Sequence, residues 1–290
     1  MAMKSFRELL SREGPLILPG AHDALSARLI KQAGFEAYFV GGFPVVGVRH
    51  GVPDIGLKSL GEISSAVRDI IAACDLPVFV DADDGYGDSK NVVHTVHTYE
   101  RMGVAALQIE DQRWPKRCGH MAGKVVIPAE QMEAKIRAAT RERMRPETFI
   151  WARTDARGPL GLDEALRRAE RYLHAGADGL FIEAPRTVEE LEIIGRAFDV
   201  PQQANPLAGG LTPILRPEEL HQLGFRVIVY GIDLLMQITK TMQIALQDIR
   251  SGRFALQGTG VTFNEYLSAV GYDDWANIEN RHGNEEAANR

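Results

Sequence analysis

The sequence predicts an α/β protein, a closed (β/α)8 TIM-type barrel, and three observations predict it. Eight short β-rich runs recur along the chain, most of them followed by a helical stretch. Runs such as PVFV (77–80) and VIVY (227–230) are apolar at successive positions, the pattern of strands buried on both faces of a parallel sheet. The predicted helices end in one recurring phrase, KQAGFEA, ERMGVAA, LHAGADG and HQLGFRV, in which Gly34, Gly103, Gly176 and Gly224 supply the left-handed residue between helix and strand. Eight such units in about 250 residues favour a closed barrel over an open doubly wound sheet. No GxGxxG follows the first run to argue for a dinucleotide fold.

The elements follow in order. MAMKSFRELLSREG is charged and mixed and lacks the apolar centre of a signal peptide, so it reads as a short helix. The strands are expected in LILPG (16–20), AYFVGG (37–42), PVFVDAD (77–83), ALQIED (106–111), TFIWART (148–154), GLFIEA (179–184), VPQQAN (200–205) and VIVYG (227–231). After the third run, Val92, Val93, Val96 and Tyr99 share a helix face, and Asp88 or Ser89 caps its start. PAEQMEAKIRAA begins another helix, with Pro128 near its first turn. One domain is expected over 1–280, and RHGNEEAANR (281–290) reads as a disordered polar tail.

Composition narrows the function. The 290 residues are 45% hydrophobic and 25% charged, which suits a soluble protein with a full-sized core. A net charge of -6 leaves no global basic field for phosphate backbones, so nucleic acid is not the expected partner. No apolar run approaches the roughly 20 residues of a membrane span. Two cysteines, Cys74 and Cys118, are too few for a disulfide framework and suit a reducing cytoplasm.

In a barrel of this kind, the C-terminal strand ends carry the chemistry. Asp81 and Asp83 close the third run, Glu110 and Asp111 the fourth, and Glu183 the sixth; Asp54 lies in the loop GVPDIG. Residues two apart on a strand face one way, so Asp81 and Asp83 converge. Oxygen ligands without a thiolate cage suit Mg2+ or Mn2+. Arg153 ends the fifth run with a planar fork suited to a substrate carboxylate or, alternatively, to a bridge with neighbouring acids. The run RWPKRCGHMAGK (113–124) has the length and polarity of a lid. Within it, Lys116, Arg117 and His120 surround Cys118 and are expected to lower its pKa. His94 and His97 read as a solvated or packed pair, Asp84 as a turn cap, and His22 as an adjunct to helix capping by Asp23.

KRCGH, together with DADDGYG, QIEDQ, WARTDA and FIEA in this order, resembles the isocitrate lyase and phosphoenolpyruvate mutase superfamily, over about Pro19 to Ile249. The compact length resembles the methylisocitrate and dimethylmalate lyases and the carboxyvinyl-carboxyphosphonate phosphorylmutases. The resemblance implies a barrel whose last helix is exchanged between subunits in a homotetramer, a dimer of dimers. Leu234, Leu235, Ile238, Met242 and Ile249 agree with burial against a partner and equally with a core role. It implies that Asp54, Asp81, Asp83 and Glu110 hold Mg2+ directly or through water. It also implies that Arg153 binds a carboxylate and that Glu183, Asn205, Thr212 and Pro213 line the substrate pocket, with backbone amides from Gly41 and Gly42.

The cysteine loop implies a carbon–carbon lyase acting on a small 2-hydroxy di- or tricarboxylate, in which Cys118 protonates the enolate left by bond cleavage. Lys116, Arg117, His120 and Arg153 assist it. Phosphorus–carbon bond formation and oxaloacetate hydrolysis or decarboxylation are the alternatives on the same scaffold. A noncatalytic metal-binding protein is the rival of a different class, and loss of Cys118 or of the Asp81/Asp83 pair would have favoured it. The chain departs from many members at YFVGGF, where Val40 and Phe43 flank the glycines in place of a serine-bearing segment.

Overall fold

Eight parallel strands stand where the eight β-rich runs fall: β1 (Leu16–Pro19), β2 (Tyr38–Val40), β3 (Val78–Asp81), β4 (Ala106–Glu110), β5 (Phe149–Thr154), β6 (Gly179–Ile182), β7 (Gln203–Ala204) and β8 (Val227–Tyr230). The computed structural model describes residues 5–287. Hydrogen-bonded ladders run β2-β3-β4-β5-β6 and β1-β8-β7, every pair parallel. Single parallel bridges, Gly20 to Phe39 and Leu180 to Gln202, join the two ladders and close the ring. The glycine at the first seam is required by space, because a Cβ at Gly20 would overlap the backbone of Gly231.

Helices separate the strands: α1 (Phe6–Leu10), α2 (Ala24–Gln32), α3 (Gly42–His50), α4 (Leu60–Ala73), α5 (Ser89–Arg101), α6 (Ala129–Glu142), α7 (Arg157–Leu160), α8 (Leu162–His174), α9 (Val188–Arg196) and α10 (Pro217–Gln222). Their starts carry the expected chemistry. Asp23 accepts from the Ser26 amide at α2, and Asp88 from the Lys90 amide at α5. Pro128 is the residue before α6. The face of α5 predicted to be apolar buries Val92, Val96 and Tyr99 against the sheet.

Two apolar layers result. One lies between sheet and helices. The other fills the barrel with Leu16, Leu18, Phe39, Phe79, Phe149, Trp151, Val227 and Val229. Phe6 of α1 enters the second layer edge-on to Phe79, ring centroids 5.7 Å apart, so α1 stoppers the N-terminal end. With that end filled by apolar side chains, buried charge collects at the C-terminal end.

The chain divides into two compact units, Met1–Leu235 and Met236–Arg290. The first holds the barrel. The second holds most of α11 (Asp233–Ser251), then α12 (Phe263–Ala269) and α13 (Tyr272–Ala287). From the sequence these helices belong with the barrel in one domain; here they cluster as a unit of their own. The tail expected to be disordered from Arg281 starts inside α13, which continues to Ala287, and residues 288–290 lie outside the described residues. No described helix is long and apolar enough to cross a membrane.

Candidate active site

The barrel register places the strand-end residues beside one another. Asp81 on β3 is paired with Gln108 on β4, Glu110 on β4 with Arg153 on β5, and Arg153 with Phe181 on β6. They line a cavity at the C-terminal mouth with Gly41, Gly42, Phe43, Asp54, Lys116, Arg117, Cys118, His120, Glu183 and Asn205. Eight segments, from Gly41 to Asn205, thus meet at one end of the ring because parallel strands all finish there.

Two buried cations organise the acids. The Lys116 ammonium lies 2.7 Å from Asp54 and 2.6 Å from Asp83. These two acids, with Glu110 and Asp81, overcome its burial and hold its pKa well above the usual lysine range. Asp83 stands one layer behind the cavity wall, with φ 49, and its position is fixed by the Glu110 amide, which donates to its carbonyl at 2.8 Å. Arg153 forks onto Asp155, Nε to Oδ2 at 2.9 Å and Nη2 to Oδ1 at 3.1 Å. It also meets Glu110 at 3.2 Å and Glu183 at 3.1 Å. Its Nη1 is 3.9 Å from Asp81. Both alternatives foreseen for this arginine are therefore relevant: it bridges acids while still facing the cavity.

Burial and mutual repulsion push the acids up. Asp81 rises to about 6, burial first and Asp83 second, against the pull of Arg153 and Lys116. Asp54 and Glu110 rise as well, burial being the main cause in each. Among the described residues no three His, Cys, Asp or Glu side chains already converge around one point as a closed metal site. The donor set nevertheless fits a hard divalent ion. Side-chain oxygens of Gln108, Glu110, Gln203 and Asn205 are buried on this wall without a hydrogen-bond partner. Mg2+ needs only one or two carboxylates with water and substrate oxygens for the rest.

Cys118 differs from its expected state. Its thiol pKa is raised, not lowered: burial dominates, and Glu183 and Asp54 add to it. The local cations do not offset this because Lys116 is already neutralised by two acids. The cysteine therefore rests as a thiol. His120 is likewise held below its ordinary pKa by burial. Its Nδ1 accepts from the Leu211 amide at 3.0 Å, so in the neutral ring Nε2 carries the proton, 3.3 Å from Glu183 Oε1.

The loop from 113 to 124 is tied down at several points. Gln112 and the Arg117 backbone exchange two hydrogen bonds, 2.8 and 3.0 Å, and the Cys118 amide donates to the Asp54 carbonyl at 3.2 Å. Thr212 and Pro213 do not line the cavity as expected. Thr212 is buried, and beside it the Leu211 amide reaches the site by donating to His120. His22 is also absent from the cavity wall; its amide donates to Ser26. His97 bonds the Glu142 carbonyl outside the barrel, and Asp84 caps a turn at the Tyr86 amide, as read from the sequence. Sequence reasoning missed Gln108 and Gln203. The signal was present, since each lies two residues before a predicted site residue, Glu110 and Asn205, on the same strand face.

A parallel barrel with buried acids, two buried cations and a thiol at its C-terminal mouth defines a TIM-type barrel enzyme. Residues 6–250 match the family model of phosphoenolpyruvate phosphomutase, and the chain belongs to that family. It is 39% identical over 281 residues to the 2,3-dimethylmalate lyase of Eubacterium barkeri, covering 95% of this chain and 96% of the relative. It is 37% identical to the 2-methylisocitrate lyase of Halalkalibacterium halodurans, covering 94% and 91%. Among solved structures, oxaloacetate acetylhydrolase with the inhibitor 3,3-difluorooxalacetate superposes with a TM-score of 0.92 at 29% identity, over 96% of each chain. Phosphonopyruvate hydrolase in complex with oxalate and Mg++ gives 0.84 at 26%, over 95% and 97%.

Proposed function

We propose that this protein is a Mg2+-dependent carbon–carbon lyase that cleaves a 2-hydroxy di- or tricarboxylate of the 2-alkylmalate or 2-methylisocitrate type to a 2-oxo acid and a carboxylate. The observation that carries the reading is the place of Cys118, at the edge of a cavity walled by acids, Arg153 and Lys116, where burial pushes its thiol pKa up. A carbanion generated there needs a proton donor that is neutral at rest and positioned out of bulk water.

Asp81 and Glu110 would hold the ion, with Asp83 and Asp54 behind them through Lys116 and water. When bound, Mg2+ supplies Lewis acidity that favours ionisation of the substrate hydroxyl. The protein's own groups account for the remainder. Nη1 of Arg153 and the amides of Gly41 and Gly42 at the start of α3 face carboxylate charge. Phe39, Phe43, Phe181, Leu207 and Ile232 give the cavity an apolar side, which suits an alkyl substituent on the hydroxy acid. Cys118 delivers its proton to the departing enolate carbon; in the reverse condensation the resulting thiolate takes one away. His120, neutral, sets its Nε2 3.3 Å from Glu183 Oε1, beside the carboxylate that Arg153 holds from its other oxygen.

The assembly is proposed as a homotetramer. α11 buries none of its side chains within the chain, and Met242, Leu246 and Ile249 are more than half exposed on it. A cytoplasmic setting suits free Cys74 and Cys118.

The test is 2-oxo acid release, coupled to lactate dehydrogenase, from 2-methylisocitrate, isocitrate, 2,3-dimethylmalate, other alkylmalates and oxaloacetate, with Mg2+ and with EDTA. Metal-dependent pyruvate or glyoxylate from a hydroxy diacid or triacid is the expected result. Turnover of oxaloacetate alone would replace the lyase by a hydrolase or decarboxylase, and silence across the panel would favour phosphorus–carbon chemistry.

A further inference from the structure

Lys124 takes no part in the chemistry above, yet it is buried at the far end of the cysteine loop and its ammonium has two partners. Nζ donates to the carbonyl of Gly119, the residue after Cys118, and to Asp155 Oδ1 at 2.8 Å. The same Asp155 carboxylate receives both arms of Arg153. Its pKa is held well below the usual carboxylate range; burial opposes this, and Arg153 and Lys124 prevail. One carboxylate thus joins the loop that bears the thiol to the arginine that faces the cavity.

The glycine after the cysteine is required by this arrangement. A Cβ at Gly119 would overlap Arg153 Nη2 and Glu183 Oε2, so the loop backbone lies directly on the ion pair. Gly158 in α7 lies in ordinary contact range of the lysine stem, where an added Cβ would sit 3.5 Å from Lys124 Cε. Releasing Lys124 would leave the Gly119 carbonyl without its donor and Asp155 with Arg153 alone, a state that the loop can relieve by lifting off Arg153.

We propose that Lys124, acting through Asp155, is a positioning residue that holds the Cys118 loop against Arg153. It fixes where the thiol stands relative to the guanidinium. The catalytic part of this inference rests on the lyase reading; the structural part does not, and the test separates them.

Hydrogen exchange of the peptide spanning 113–127 is followed by mass spectrometry without substrate in the wild type, Lys124→Met and Lys124→Arg, alongside iodoacetamide labelling of Cys118. Lys124→Met is expected to speed both exchange in this peptide and labelling about tenfold or more while the barrel strands exchange as before; Lys124→Arg should restore most of the protection. On 2,3-dimethylmalate, kcat should fall on the order of 10- to 100-fold in Lys124→Met with KM nearly unchanged, the signature of misplaced groups and not of lost binding. Unchanged loop exchange in a folded Lys124→Met overturns the proposal. If that variant loosens the whole barrel, Asp155→Asn is read instead: faster loop exchange supports the proposal, and wild-type protection overturns it. Should no hydroxy acid be turned over by the wild type, the lyase reading fails while the exchange result still decides the role of Lys124.

Discussion

Cys118 shows how far a residue's neighbours in sequence can mislead about its chemistry. KRCGH surrounds it with positive charge, and in solution that would favour thiolate. In the fold Asp54 and Asp83 take up Lys116, and burial lifts the thiol. A raised pKa means a smaller thiolate fraction at neutral pH than a free thiol has, so alkylation of Cys118 should be slower than that of glutathione at pH 7 and should go on rising with pH after the glutathione rate has levelled off. Faster labelling than glutathione at pH 7 would contradict a resting thiol. Cys118→Ser should lose nearly all turnover, since a hydroxyl is a far weaker acid, while thermal stability and Mg2+ binding by calorimetry stay close to wild type. Asp83→Ala should lose rate and metal affinity together. It removes a charge partner of Lys116 and frees that ammonium to repel the ion; rate that persists in excess EDTA would refute the metal requirement.

At the scale of elements, all eight strands were legible because apolar runs of parallel strands are the strongest pattern a barrel writes into its sequence. The strand-end acids followed from topology once the strands were placed. The partner choices were not legible, because they depend on which strand end lies beside which. Asp111 illustrates this. It stands next to Glu110 in QIED and reads as another site acid, but its side chain turns to the outer layer. There it accepts from Thr154 at 2.7 Å, Tyr172 at 2.8 Å, Arg168 at 3.1 Å and the Asp155 amide at 2.9 Å. It thereby ties the ends of β4 and β5 to α8. Asp111→Ala leaves Arg168 with Glu164 as its remaining acid and takes the buried acceptor from Thr154, Tyr172 and the Asp155 amide, so it should destabilise by about 1–3 kcal/mol, read by urea unfolding. Asp111→Asn, which keeps an acceptor, should cost clearly less. Equal losses in the two variants would show that the carboxylate's shape and hydrogen bonds contribute little beside its charge.

For the whole molecule, the apolar positions of the last long helix admitted two uses in the sequence, core or partner. Inside the single chain they are not core: α11 has no buried residue, and beyond it Phe263, Trp275 and Val261 stand at 76%, 70% and 74% exposure. Apolar surface on this scale in consecutive elements is uncommon on a monomer and marks an interface. A closed symmetric assembly would cover it, and obligate interfaces of that kind resemble a domain core cut in half. Sedimentation equilibrium should therefore report a mass near four chains at micromolar concentration. Leu246→Glu, a charge at a position 65% exposed in the isolated chain, should shift it towards dimer or monomer without disturbing the barrel's circular dichroism. The same variant tests whether assembly matters for turnover. Every residue lining the cavity lies between Phe39 and Ile232, ahead of the second unit, so a dissociated variant that retains Mg2+ binding but loses rate would show that assembly contributes to turnover. A wild-type protein that sediments as a single chain would refute the tetramer and leave the apolar helices to some other partner.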